Sequence, residues 1–136
     1  MPERKTLERA RKAKREGKAP TTQAGEFVHE EIAHVHEGKH GARSTKQAIA
    51  IGLSKARRAG VKLKPPRKGQ ASARTRKSAE RAYRAGQSGK PRKPSTRRSR
   101  ATSRALKREP KRVASRKALS KQARSAAKRR RKRVAA

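Results

Sequence analysis

Ser44-Thr45-Lys46-Gln47-Ala48-Ile49-Ala50-Ile51-Gly52-Leu53-Ser54-Lys55-Ala56-Arg57-Arg58-Ala59-Gly60 is the stretch from which the fold is read. Ser44 and Gln47 stand in the S-x-x-Q spacing of a capping box, whose two side chains bond free backbone N–H groups at a helix start. Ile49, Leu53 and Ala56 follow as one helical stripe, widened by Ala48, Ile51 and Ala59. Gly60 suits the left-handed residue after a helix, with Val61 able to fold onto Ala56.

Upstream, Thr21 or Thr22 can cap a second helix that runs to about Glu37 and stops at Gly38. Its apolar face is Ala24, Phe27, Val28, Ile32 and Val35, with Glu26, Glu30, Glu31 and Glu37 off that face or at its edge. The linker Gly38 to Arg43 then makes an αα-hairpin. Glu3 to Glu16 forms a thinner amphipathic helix, with Leu7, Ala10 and Ala13 on its apolar side and Gly17 and Pro20 at its end. A hairpin of residues 22–63 sits near the roughly 40-residue limit for lone domains, so self-association as a homodimer through this head, or a ligand, is expected to support it.

Downstream the composition changes. The chain has 136 residues, 44 of them Lys or Arg and 9 Glu, with no Asp, for a net charge of +35. Residues 1–63 hold 15 basic and 7 acidic groups (net +8), whereas 64–136 hold 29 and 2 (net +27). The second part has only Tyr83, Leu106, Val113, Leu119 and Val134 as large apolar residues, and five such side chains do not offset backbone entropy of roughly 1–2 kcal/mol per residue. The expected architecture is mostly α: a weak helix in residues 1–20, a helical hairpin head in 21–63, and a disordered or transiently helical basic tail in 64–136. Two tail pieces have helical character, Ala71 to Ala85 before Gly86, and Lys111 to Val134. Like charges four residues apart repel, so these pieces are expected to become helical when a polyanion binds.

The segment HGARSTKQAIAIGLSKARRAG, within Thr22 to Gly60, resembles a family of small, basic, uncharacterised bacterial proteins whose members often carry a DNA-binding label. The tail resembles the Lys/Arg/Ala/Pro/Ser-rich tail of bacterial linker-histone-like proteins. These resemblances imply DNA binding and a place in the cytoplasm at the nucleoid; the first brings no activity or functional residues with it.

Charge leads to the same partner by a separate route. Neutralised phosphates release counterions, and 35 excess charges match about 60 Å of duplex, an upper-end footprint. Arg outnumbers Lys in the tail by 18 to 11, which suits bidentate phosphate contact. The candidate nucleic-acid-binding residues are Lys55, Arg57 and Arg58 in the head, then Arg74, Lys77, Arg81 and Arg84 at spacings of three and four. Further on stand Arg97 and Arg98, the every-fourth row Arg100, Arg104, Arg108, Arg112 and Arg116, and the run Lys128, Arg129, Arg130, Arg131, Lys132 and Arg133. Duplex DNA with low sequence specificity is the preferred partner. A ribosomal or other structured RNA is the alternative, and Phe27 and Tyr83 are too few rings for a base-stacking RNA platform. A third reading makes the Glu-rich helix 22–37 a protein-docking face, with the tail as an electrostatic tether.

Other motifs are read more plainly. A recognition role for helix 44–59, through Lys46, Gln47, Lys55, Arg57 and Arg58, is disfavoured because the linker exceeds the 3–4-residue turn of a helix-turn-helix. Gly89-Lys90-Pro91-Arg92-Lys93-Pro94 resembles a minor-groove hook with a Gly-Arg-Pro core, but Lys90 replaces the arginine and the stretch reads as a Pro-rich linker. His29, His34, His36 and His40 are read as exposed histidines on a Glu-rich face, and no metal or cofactor is assigned. Without Cys or Asp, a Gly-x-Ser-x-Gly elbow or a phosphate-binding Gly loop, no enzyme is expected. No apolar run approaches membrane-spanning length, the tail lacks the apolar face of an interfacial helix, and the start is not read as a targeting signal.

Overall fold

Thr45–Arg58 is helical as the capping box predicts, and it is the hub of the structure, a computed structural model that describes residues 2–89, 93 and 95–135. In chain order the helices are α1 (Arg4–Arg15), α2 (Pro20–His36), α3 (Thr45–Arg58), α4 (Ala73–Gln87), α5 (Thr96–Arg108) and α6 (Arg116–Ala135), with a 3-10 turn at Arg112–Ala114 before α6. Helix α3 packs against α2 on one side and α4 on the other, and also meets α6. Helix α1 lies on α2.

Local chemistry explains most of the boundaries. The Gln47 N–H donates to Ser44 Oγ at 3.1 Å, while Gln47 Oε1 accepts from the Arg43 N–H rather than from Ser44 itself. Helix α2 starts with Pro20 at its first position instead of a Thr cap; proline's fixed φ and missing N–H suit that place. Val61 N–H returns to the Ala56 carbonyl at 3.1 Å, as expected past Gly60. Ala59, expected on the apolar stripe, is exposed.

Two apolar clusters fill the ends of the hairpin. One joins Ala10, Ala24, Phe27, Ala56 and Val61, with Leu7, Leu53 and Leu63 against it. The other joins Val35, Ala42 and Ala48 to Val113 and Ala114, with Ile32 against it. Between them α2 and α3 touch backbone to backbone: a Cβ on Gly52 would lie 2.6 Å from Val28 Cα.

The expectation of a disordered or transiently helical tail is overturned. Ala73–Gln87, Thr96–Arg108 and Arg116–Ala135 form α4, α5 and α6, and the chain is an all-helical domain rather than a head with a long free tail. The back half does not supply a core of its own; it completes the core of the front half. Val113 and Ala114 enter the second cluster, and Thr45 Oγ1 donates to the Val113 carbonyl at 2.7 Å. The Gly41 and Ala42 N–H groups donate to the carbonyls of Leu106 and Pro110 at 2.8 and 3.0 Å. Helix α4 buries Ala79 and Ala82, and its end sits so close to α3 that a Cβ on Gly86 would overlap the Arg57 carbonyl.

Helices α5 and α6 bury no residue, and among the described residues no other helix packs against α5. Their helicity rests on Arg, Lys, Ala and Leu, all near the top of the intrinsic scale. Of the linker read at Gly89 to Pro94, residues 90, 91, 92 and 94 lie outside the described residues.

Candidate nucleic-acid interface

The three head cations named from the sequence divide. Arg58 is exposed. Lys55 is turned inward, its Nζ 2.6 Å from Glu31 Oε2, and His40 Nε2 lies 2.8 Å from the other oxygen of that carboxylate. The Glu31 side chain is 1% exposed, so this trio holds α2, α3 and the intervening linker around one buried charge. Arg57 is 7% exposed and donates from Nε to the Leu63 carbonyl at 3.1 Å and from a terminal nitrogen to that of Lys64 at 3.3 Å. Burial lowers the pKa of its guanidinium. Lys55 and Arg57 thus serve the interior.

A signal for this was present in the spacing. Glu31 stands four residues after Phe27 and four before Val35, on the buried row itself, and Arg57 continues the row Ile49, Leu53. Helix α3 is covered by α2 and α4, and Gln47 is used in its cap, which leaves Lys46 and Arg58 as its exposed members of the set weighed for base recognition.

The back-half candidates are arranged differently. Arg74, Lys77, Arg81 and Arg84 are all exposed on the face of α4 opposite Ala79 and Ala82. Arg97, Arg98, Arg100, Arg104 and Arg108 are exposed on α5, and Arg97, Arg100 and Arg104 line one shallow groove with Thr96 and Ala101. Arg112 and Arg116 are exposed too, but the row from Arg100 does not form one continuous face: α5 ends at Arg108, Pro110 intervenes, and the 3-10 turn separates Arg112 from α6. Lys128, Arg129, Arg130, Arg131, Lys132 and Arg133 are exposed around the last turns of α6, a helix about 30 Å long. Lys107, Lys111, Lys117, Lys121 and Arg124 join this exposed set; they belong to the same basic runs and were not singled out.

Every described Lys or Arg beyond residue 63 is exposed except the half-buried Arg76. Among the described residues, every ion pair lies between Glu3 and Lys55. The two halves therefore differ in how their cations are used as well as in net charge.

The histidines are not uniformly exposed. His29 and His36 are, but the side chains of His34 and His40 are only 15% and 16% exposed. His34 Nε2 lies 3.0 Å from Glu3 Oε1, and Lys39 Nζ lies 3.5 Å from the same oxygen. The contact with His34 is the largest cause holding the Glu3 carboxyl below its ordinary pKa; desolvation opposes it and Lys39 reinforces it.

These features define an all-helical domain whose front half pairs most of its carboxylates internally and whose back half presents cations on three helices. A family model described as a family of unknown function, DUF6496, matches residues 5–69, which takes in α2, α3 and all of α1 but its first residue. No curated protein and no solved structure matches the chain. No helix among the described residues is long and apolar enough to cross a membrane.

Proposed function

We propose that this chain is a non-enzymatic, nucleoid-associated protein that binds duplex DNA with little regard to sequence, by neutralising phosphates. One observation carries the reading: among the described residues no ion pair joins the exposed Arg and Lys of α4, α5 and α6 to a carboxylate, while Glu3, Glu8, Glu16, Glu30, Glu31 and Glu37 bond within the head. A surface with net +27 over residues 64–136 has no internal means of lowering its self-repulsion, and a polyanion supplies one. The cations sit on formed helices, so less chain entropy is lost on binding than a free tail would lose.

Base readout has little support. Helix α3 is sandwiched, and phosphate contacts carry no sequence information of their own. Phe27 is 1% exposed, which removes it as a stacking platform for single-stranded RNA.

The test is a salt titration of the full chain against a short duplex and against a folded RNA. The expected result is a linear fall of log affinity with log salt on DNA, and a slope smaller by about 3 when Arg97, Arg100 and Arg104 are all changed to Gln. Binding that ignores ionic strength would overturn the mechanism. Tighter binding to folded RNA than to duplex at every salt concentration would replace DNA with RNA as the partner.

A further inference from the structure

The carboxylate of Glu30 is the least explained group in the molecule. Its side chain is 3% exposed. Oε1 accepts the Glu3 backbone N–H at 2.6 Å, but Oε2 is buried and has no hydrogen-bond partner among the described residues. A buried carboxylate oxygen with no donor is unfavourable, and a cation held by this carboxylate would offset that cost.

The surroundings supply the other parts of a metal site. His34 lies one turn along α2 from Glu30, with its Nε2 4.0 Å from Glu30 Oε1 and 3.0 Å from Glu3 Oε1. Donor atoms of Glu3, Glu30 and His34 all lie within 4.8 Å of one another. Two ligands on a tetrahedral zinc, each at 2.0–2.1 Å, are about 3.3 Å apart, a value between the two His34 separations. The cluster opens onto a groove of about 160 Å3 between α1 and α2, lined also by Thr6, His29 and Ala33, which has room for a water as fourth ligand.

We propose that Glu3, Glu30 and His34 bind one divalent transition-metal ion, with zinc the best match to one imidazole and two carboxylates. The imidazole disfavours magnesium and calcium, which select all-oxygen sites. Binding replaces the His34–Glu3 contact with two metal–ligand bonds and displaces Lys39, whose side chain is 54% exposed and free to swing away. The ion joins the residue preceding α1 to the C-terminal half of α2, away from the apolar contacts of Leu7 and Ala10, and so clamps α1 in place.

A second set, Glu31, His34 and His40, also brings donors within 4.8 Å, but Lys55 and His40 already engage both Glu31 oxygens. It therefore serves as the control. Nucleic-acid-free full-length protein is titrated with zinc against a chromophoric chelator, and bound metal is counted after dialysis. One zinc per chain is expected, with affinity at least ~10-fold weaker in Glu30→Gln and His34→Gln and retained in His40→Gln. Glu3→Gln, at a half-exposed position that does not threaten the fold, weakens binding in the same way. Zinc also raises the melting temperature of the unaltered chain and not that of His34→Gln. No uptake, uptake unchanged in Glu3→Gln and His34→Gln, or uptake lost in His40→Gln but kept in Glu3→Gln would each overturn the assignment.

Discussion

The front half of the chain, α1 to α3, and the back half, α4 to α6, contain equal numbers of helices and use charge in opposite ways. In front, Glu31 and Arg57 are buried because each has partners: Lys55 and His40 for the first, the carbonyls of Leu63 and Lys64 for the second. Behind, 29 basic residues share the segment with only Glu80 and Glu109. Charges without partners stay in water, so the contacts that seat the back half are made by small apolar groups and by backbone: Ala79, Ala82, Val113, Ala114 and the carbonyls of Leu106 and Pro110. The difference teaches that a segment too poor in apolar residues to fold alone can still be ordered when a neighbouring segment leaves part of its core open.

The largest expected effect separates charge from packing. Changing Lys128, Arg129, Arg130, Arg131, Lys132 and Arg133 to Gln removes six exposed cations from a helix that buries nothing. The slope of log DNA affinity against log salt is expected to fall by about 5 units. Stability to urea is expected to move by no more than about 0.5 kcal/mol. A large loss of stability would show that these residues belong to the packed part of the molecule and would break the comparison.

A smaller effect tests whether the back half is seated on the front. In Gly86→Ala the new methyl meets the Arg57 carbonyl, so α4 and α3 must separate. The expected cost is about 2–3 kcal/mol, read from the urea midpoint at constant slope. An unchanged midpoint would mean that α4 does not rest on α3 in solution and that the two halves fold independently.

How much of this was legible depended on whether the signal was local. The hairpin could be read because Ser44, Gln47, Gly38 and Gly60 act within a few residues of themselves. Parts of α4 and α6 could be read from Ala71 to Ala85 and Lys111 to Val134. The order of the back half could not, because it depends on contacts such as Thr45 with Val113, 68 residues apart, and on counting the core of the whole chain rather than of each segment. The exposed arginines were legible from composition alone, since cations in such excess have nowhere to go but water. Lys55 and Arg57 were misplaced for the converse reason: their partners belong to other elements, and the basic run around them resembles a solvated face. Glu31 on the Phe27–Val35 row and Arg57 on the Ile49–Leu53 row were the clues, and the first matters only once a buried carboxylate is seen to need a cation.

The smallest effect is the sharpest test of the comparison, because it holds the chemistry constant. Lys55→Gln and Arg97→Gln each delete one positive charge. Lys55 is 25% exposed and bonded to a buried carboxylate; Arg97 is exposed on α5. Removing one member of a fully buried pair costs 3–5 kcal/mol. Here the partial exposure of Lys55, the remaining His40 contact and the amide that replaces the ammonium reduce the expected loss to about 1–2 kcal/mol. Lys55→Gln is therefore expected to lower the urea midpoint and to leave the salt slope of DNA binding unchanged. Arg97→Gln is expected to leave the midpoint within about 0.5 kcal/mol and to reduce the slope by about 0.9. If both substitutions moved both readouts alike, the halves would not differ in how they use charge, and the division between a head that pairs its carboxylates internally and a back half of unpaired exposed cations would fall.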